Sequence, residues 1–221
     1  MHIEILTEDA SGELLLQSLL PKILGQQGHP HTWRTHAYKG IGRIPRDLRG
    51  KTDPSKRILL DRLPMILAGY GKSQQQQDAA VLVVVDLDDR NCAEFRQELN
   101  GILNQCHPAP RALFRIAIEE MEAWLLGDRS AVLKEFPRAK GTVLGTYDQD
   151  SICGTWERLA DAVFPGGSAA LKAAGWPEIG EQKCKWASQI GRHLDPERNA
   201  SPSFHALRRG LLKLCGQAEE A

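Results

Sequence analysis

Ala79-Ala80-Val81-Leu82-Val83-Val84-Val85-Asp86-Leu87-Asp88-Asp89 is the stretch around which the chain is organised. Its aliphatic run from Val81 to Val85 reads as a strand buried on both faces, as in a parallel sheet covered by helices. Carboxylates follow at once. On an extended backbone the i, i+2 spacing puts Asp86 and Asp88 on one face of the strand end. Parallel sheets bind their ligands just beyond the carboxyl ends of their strands. Paired acids there repel each other unless a proton or a cation relieves them, and hard oxygen ligands suit Mg²⁺ or Mn²⁺. A second reading stands beside this one: Asp86, Asp88 and Asp89 end the strand and cap a helix starting near Cys92.

Two flanking stretches repeat the pattern of strand and then acid. Towards the N-terminus, residues 2–7 alternate polar and apolar and end in Glu8-Asp9. Ser11 is the expected cap of the helix that follows, and Pro21 is expected to kink or restart it. Towards the C-terminus, residues 112–118 form a strand ending in Glu119-Glu120-Met121-Glu122. There the apolar period becomes helical, so Glu120 and Glu122 do not share a helix face and one of them is expected to point back to the strand ends. If these strands are parallel, Glu8, Asp86, Asp88, Glu120 and Glu122 converge on one rim. Such a cluster could hold one or two Mg²⁺ ions, polarise a phosphoryl group and activate a water. For Glu8 the alternative is a plain helix cap.

Residues 31–38 alternate like a strand, and His29, His31 and His36 read as polar strand positions, with no acid near them in sequence. Residues 39–54 form a basic loop carrying Arg43, Arg46, Arg49 and Lys51. It is either a solvated connector or a phosphate-contacting loop, since anions favour the helix start that follows. Residues 58–70 read as a helix interrupted at Pro64. Gly71-Lys72-Ser73 lacks the glycine five residues earlier that a Walker A loop needs, because position 66 is Ile66. Beyond residue 130 the signal is a series of helices. Lys183, Lys185, Arg192, Arg198, Arg208, Arg209 and Lys213 read first as solvated helix faces, with a basic ridge as the alternative.

Hydrophobic residues make up 42% and charged residues 25% of 221 residues, which is ordinary for a globular protein. Zero formal net charge removes any global electrostatic case for nucleic acid or membrane. Binding to nucleic acid would need a local patch. Five scattered cysteines without a C-x-x-C pair argue for reduced thiols. With no apolar stretch of membrane-spanning length, they point to a cytoplasmic protein without a membrane. Length fits an α/β core over residues 1–128 with a helical region over 129–221 packed on it.

Leu6-Thr7-Glu8 closing one strand and Val84-Val85-Asp86-Leu87-Asp88 closing another resemble a Toprim domain, the fold of topoisomerases, bacterial primases and the nuclease half of overcoming-lysogenization-defect proteins. More closely, Gly50-Lys51, Asp86-Leu87-Asp88, the Glu120 to Asp128 stretch and Ser201-Pro202-Ser203-Phe204 resemble an uncharacterised bacterial Toprim-like family often encoded beside ATPases. The resemblance implies a mainly parallel sheet with helices on both faces and a helical C-terminal region. It implies Asp86 and Asp88 as a metal pair, and Glu8 as a metal-linked or acid/base group. Glu122, with Glu120, would complete the acidic set. The function implied is a Mg²⁺- or Mn²⁺-dependent nuclease acting on DNA or RNA, with a partner ATPase, in defence against foreign genetic elements such as phages. The alternatives are a non-catalytic binding module, or an ATPase partner subunit, with a vestigial acidic site, and another phosphotransfer enzyme of the same fold.

Overall fold

The structure, a computed structural model, describes residues 1–40, 42 and 58–217. Four strands form one sheet: β1 (His2–Thr7), β2 (Thr32–Ala37), β3 (Ala79–Asp86) and β4 (Ala112–Ala117). All pairings are parallel, in the order β2-β1-β3-β4. Every residue of β3 is buried, as its unbroken aliphatic run requires for a central strand covered on both faces.

Strand alternation sorts the core into two apolar clusters. Ile3, Ile5, Ala80, Leu82 and Val84 face α1 (Ala10–Leu24) and the C-terminal helices. Leu6, Val81, Val83 and Val85 face α2 (Leu59–Ser73) and α3 (Cys92–Asn104). Helices therefore cover both faces. The C-terminal region is helical: α4 (Glu122–Leu126), α5 (Arg129–Glu135), α6 (Gly141–Gly145), α7 (Thr155–Val163), α8 (Gly167–Ala174), α9 (Trp176–Gly191) and α10 (Pro202–Leu214). Helix α9 lies along α1, and α10 packs beside β4. Trp124 and Phe204, both fully buried, meet edge to face across this region.

Local expectations needed three corrections. Asp9, not Ser11, caps α1: its carboxylate accepts the Gly12 N–H at 2.8 Å, and the buried Ser11 hydroxyl donates to the same carboxylate. Being charged, it is the stronger acceptor at the positive helix end. Pro21 and Pro64 do not divide their helices. Each removes a single backbone donor, while Leu19, Leu20 and Ile23 around one and Leu60, Leu63 and Leu67 around the other stay buried in a continuous face. Finally, an acid does stand near the histidines. Glu4 reaches His36 at 2.6 Å and His2 at 3.3 Å, and is held below its ordinary value because these rings outweigh its burial.

Among the described residues no helix is long and apolar enough to cross a membrane.

Candidate active site

Register brings the three strand ends together. Thr7 pairs with Val84, and Asp86 with Ala117, so β1, β3 and β4 leave the same rim side by side. Glu8 follows β1 directly, and one of its carboxylate oxygens accepts the Asp86 backbone N–H at 3.3 Å. Asp86 closes β3 with only 9% of its surface exposed, and its Oδ1 is buried with no hydrogen-bond partner. Asp88 does not continue the strand. Its backbone turns to φ +53° and its N–H donates to the Glu119 carbonyl at 3.0 Å. The shared-face argument for Asp86 and Asp88 assumed extended backbone through both, and the backbone is extended only as far as Asp86.

On the β4 side the acids are anchored. Glu119, at φ +60°, accepts the N–H groups of Cys153, Gly154 and Thr155 at 3.1, 2.8 and 2.9 Å, together with the Thr155 hydroxyl. It thereby caps α7 from across the chain, the role of an acid at a helix N-terminus. Glu120 accepts the Trp156 N–H at 3.2 Å on the same helix. Glu122 opens α4 and is 2% exposed. Into this group comes Lys183 from α9, its side chain 14% exposed, with Nζ at 3.2 Å from Glu122 and 3.5 Å from Glu120. Glu120 and Glu122 reach the same ammonium because residues 119–121 turn between strand and helix. Only Glu122 belongs to α4, so the two do not share a helix face, and Glu122 lies near enough to the end of β3 to raise Asp86.

The electrostatics follow from burial and crowding. Glu8 is pushed up to about 7, first by burial and then by Asp88, against the Asp86 N–H. Burial and the neighbouring Glu8 raise Asp86 well above the ordinary aspartate range. Burial raises Asp88 as well, with Arg90 opposing. Glu120 is pushed up to about 7 by burial, Lys183 opposing and Glu122 adding. Burial alone would raise the Glu119 carboxyl, yet the bonds from Thr155, Cys153 and Gly154 hold it below its ordinary value. Burial would likewise strip the Lys183 proton, but Glu122, Glu120, Asp86 and Asp9 together keep the ammonium charged.

Among the described residues no three His, Cys, Asp or Glu side chains stand close enough to hold a metal ion as a ready-made cage. The donors nevertheless suit Mg²⁺ or Mn²⁺. Asp86 offers a buried, unpartnered oxygen, and burial raises the neighbouring Glu8 and Asp88 carboxyls, whose ionised forms a cation would favour. Mg²⁺ is commonly held by one or two carboxylates plus water and substrate phosphate, without an all-protein cage.

Arg43, Arg46, Arg49 and Lys51 lie outside the described residues. Lys183 was missed as a site residue when it was counted with the solvated basic faces. A signal was present: Ile179, Lys183 and Ala187 recur at i, i+4 and i+8, and Ile179, Trp186, Ala187 and Ile190 form the buried stripe of α9. A cation on that stripe needs a buried partner.

A family model described as "Domain of unknown function (DUF4276)" matches residues 7–212, and the chain belongs to that family. No curated protein and no solved structure matches it.

Proposed function

We propose that this DUF4276 protein is a Mg²⁺- or Mn²⁺-dependent nuclease that hydrolyses phosphodiester bonds in DNA or RNA. The observation that carries the reading is the buried, unpartnered Asp86 Oδ1 at a rim shared with Glu8 and Asp88. Acids at the ends of adjacent parallel strands also support the Toprim resemblance, and with it a partner ATPase and a role in defence. Glu8, Asp86 and Asp88 would hold the metal, with Glu120 and Glu122 behind them on Lys183. A bound divalent cation supplies neutralisation of phosphoryl charge and a lowered pKa for bound water. Glu8 stands on a different strand from the aspartates, so it approaches a phosphate from another side. In the metal-free protein burial and Asp88 push it up to about 7, and a Glu8 carboxyl left off the metal would be suited to give its proton to the leaving oxygen as the P–O bond breaks and water adds to phosphorus.

The test is incubation of the purified protein with DNA, RNA and tRNA panels under Mg²⁺ or Mn²⁺, with and without an ATPase encoded beside it. Cleavage is expected. Asp86→Asn should lose both cleavage and Mn²⁺ binding by calorimetry, while Glu8→Gln keeps nucleic-acid binding but cleaves at least about a hundredfold more slowly. Full cleavage by Asp86→Asn overturns the reading. One observation favours the non-catalytic binding module instead: Lys183 already brings an internal cation to the acids. Absence of stoichiometric Mn²⁺ binding in the wild type would decide for that module.

A further inference from the structure

Among the described residues strand β4 has a sheet neighbour only in β3, so its other side is an edge of the described sheet. Along that edge lies a cavity of about 750 Å³ between β4 and α10, bordered by Arg96 of α3, Arg115 of β4, and Arg209 and Lys213 of α10. Among the described residues, none that lines it is acidic. Arg96, Arg209 and Lys213 are exposed, and among the described residues none of them has an ion-pair partner. The other Lys and Arg residues from α9 to α10 are engaged elsewhere: Lys183 with Glu120 and Glu122, Lys185 with Glu181, Arg192 with Glu135, Arg198 with Asp128, and Arg208 with Glu197.

Arg115 is built into place. Its Nε donates to the Ala206 carbonyl and Nη1 to the Phe114 carbonyl, both at 2.7 Å. The guanidinium lies so close to α10 that a Cβ on Gly210 would stand 2.0 Å from Nη2. Only glycine leaves that space. Besides its burial, the charges that act on Arg115 are two more cations, Arg209 and Arg96. Like charges gathered without a counter-charge oppose folding, and a multiply charged anion relieves them.

The cavity continues past Phe114, Ile116 and Ile118 as an apolar trough towards Cys92 and the acidic rim. Asp150, at its wall, is already bound by the Ser201 hydroxyl at 2.7 Å and the Ser203 N–H at 2.6 Å. Arg115 stands two residues before the end of β4 at Ala117, about 7 Å along the extended strand. A site that runs on towards the rim fits a polymer better than an isolated phosphate.

We propose that the cavity of Arg96, Arg115, Arg209 and Lys213 is a phosphate-binding subsite that seats a nucleic-acid backbone on its way to the acidic rim. The inference rests on the nuclease reading for its substrate class, but binding is measured apart from cleavage. Labelled single- and double-stranded DNA and RNA oligonucleotides are titrated by fluorescence anisotropy in EDTA, where metal-dependent cleavage is silent. The wild type should bind, and Arg96→Ala/Arg209→Ala/Lys213→Ala should bind at least about tenfold more weakly, with the log Kd against log salt slope reduced by about 2–3. Arg115 is left in place in this variant because it holds two backbone carbonyls. In a second variant, Gly210→Ala, every charge is kept but the guanidinium is displaced, and binding should weaken without a change in circular dichroism.

An unchanged affinity and slope in the triple variant overturns the proposal, as does a wild type that binds no oligonucleotide. Binding of pyrophosphate alone overturns it in favour of a small phosphorylated ligand. If the oligonucleotides bind as expected but are never cleaved with metal, the nuclease reading fails and the subsite stands.

Discussion

The carboxylates at the rim fall into two sets that meet the same problem differently. Glu119, Glu120 and Glu122, at the exit of β4, are answered from within the chain, by the N-terminus of α7 and by the Lys183 ammonium. Glu8, Asp86 and Asp88, at the exits of β1 and β3, receive far less. One backbone N–H reaches Glu8 and Asp86 Oδ1 has no hydrogen-bond partner; burial raises all three carboxyls, as it does Glu120 and Glu122, and Lys183 opposes the rise at Asp86 without an ion pair to it among the described residues. The first set joins the C-terminal helices to the sheet. The second is a charge deficit left open at the place where a parallel sheet binds ligands. The first set is neutralised within the chain, and the second carries the proposed metal site.

That division can be broken most directly at Lys183. Lys183→Met leaves Glu120 and Glu122 buried without their cation, and a broken buried pair costs about 3–5 kcal/mol. Urea unfolding should show a loss of up to this size at alkaline pH, shrinking as pH falls, because Glu120, pushed up to about 7 even with Lys183 opposing, takes up its proton more readily once the ammonium is gone. A wild-type midpoint in the variant would mean that the two sets are not differently neutralised.

The open set should report itself through pH. Glu8 titrates near 7 in the folded chain against an ordinary 4.5. Between those values the folded state binds more protons than the unfolded one, so its contribution to stability falls as pH rises from about 4.5 to 7. Glu8→Gln removes this burden. Relative to wild type it should gain up to about 3 kcal/mol between pH 4 and pH 8 in metal-free buffer. Parallel stability curves for the two proteins over that range would place Glu8 in the answered set.

The smallest effect is expected at Glu119. Glu119→Gln weakens the cap on α7 and should cost about 1–2 kcal/mol in thermal or urea unfolding. Mn²⁺ affinity, measured on the same sample, should not move. A fall in Mn²⁺ affinity with no loss of stability would reverse the assignment of Glu119 and sharpen the boundary between the sets.

Much of the first level of this organisation is local and therefore legible. The Val81–Val85 run marks a two-sided strand whichever helices cover it, and the acids after Thr7 and at Asp86 follow at fixed backbone distance. Boundaries of α3 and α10 fall within a residue or two of the apolar periodicity. Misreadings arose where one local rule competed with another. Asp9 outbids Ser11 as a cap because it is charged, and the prolines sit inside helices whose buried faces tolerate one lost donor. The residues around Asp88 read as extended and are turned, since the sequence there carries no glycine to announce a positive φ.

The sequence by itself determined that strands and helices alternate, that the central strand is covered on both faces, and that acids follow the strands. These follow from side-chain period and from neighbours a few bonds apart. Only the tertiary structure decided which acids are answered. Lys183 is 61 residues from Glu122 and 97 from Asp86 along the chain, and the α7 N-terminus is more than 30 from Glu119. Partners that far apart meet only when α9 is laid along α1 and α7 is brought to the rim. The unpartnered Asp86 Oδ1 beside Glu8 and Asp88 is likewise what the packing of those helices leaves.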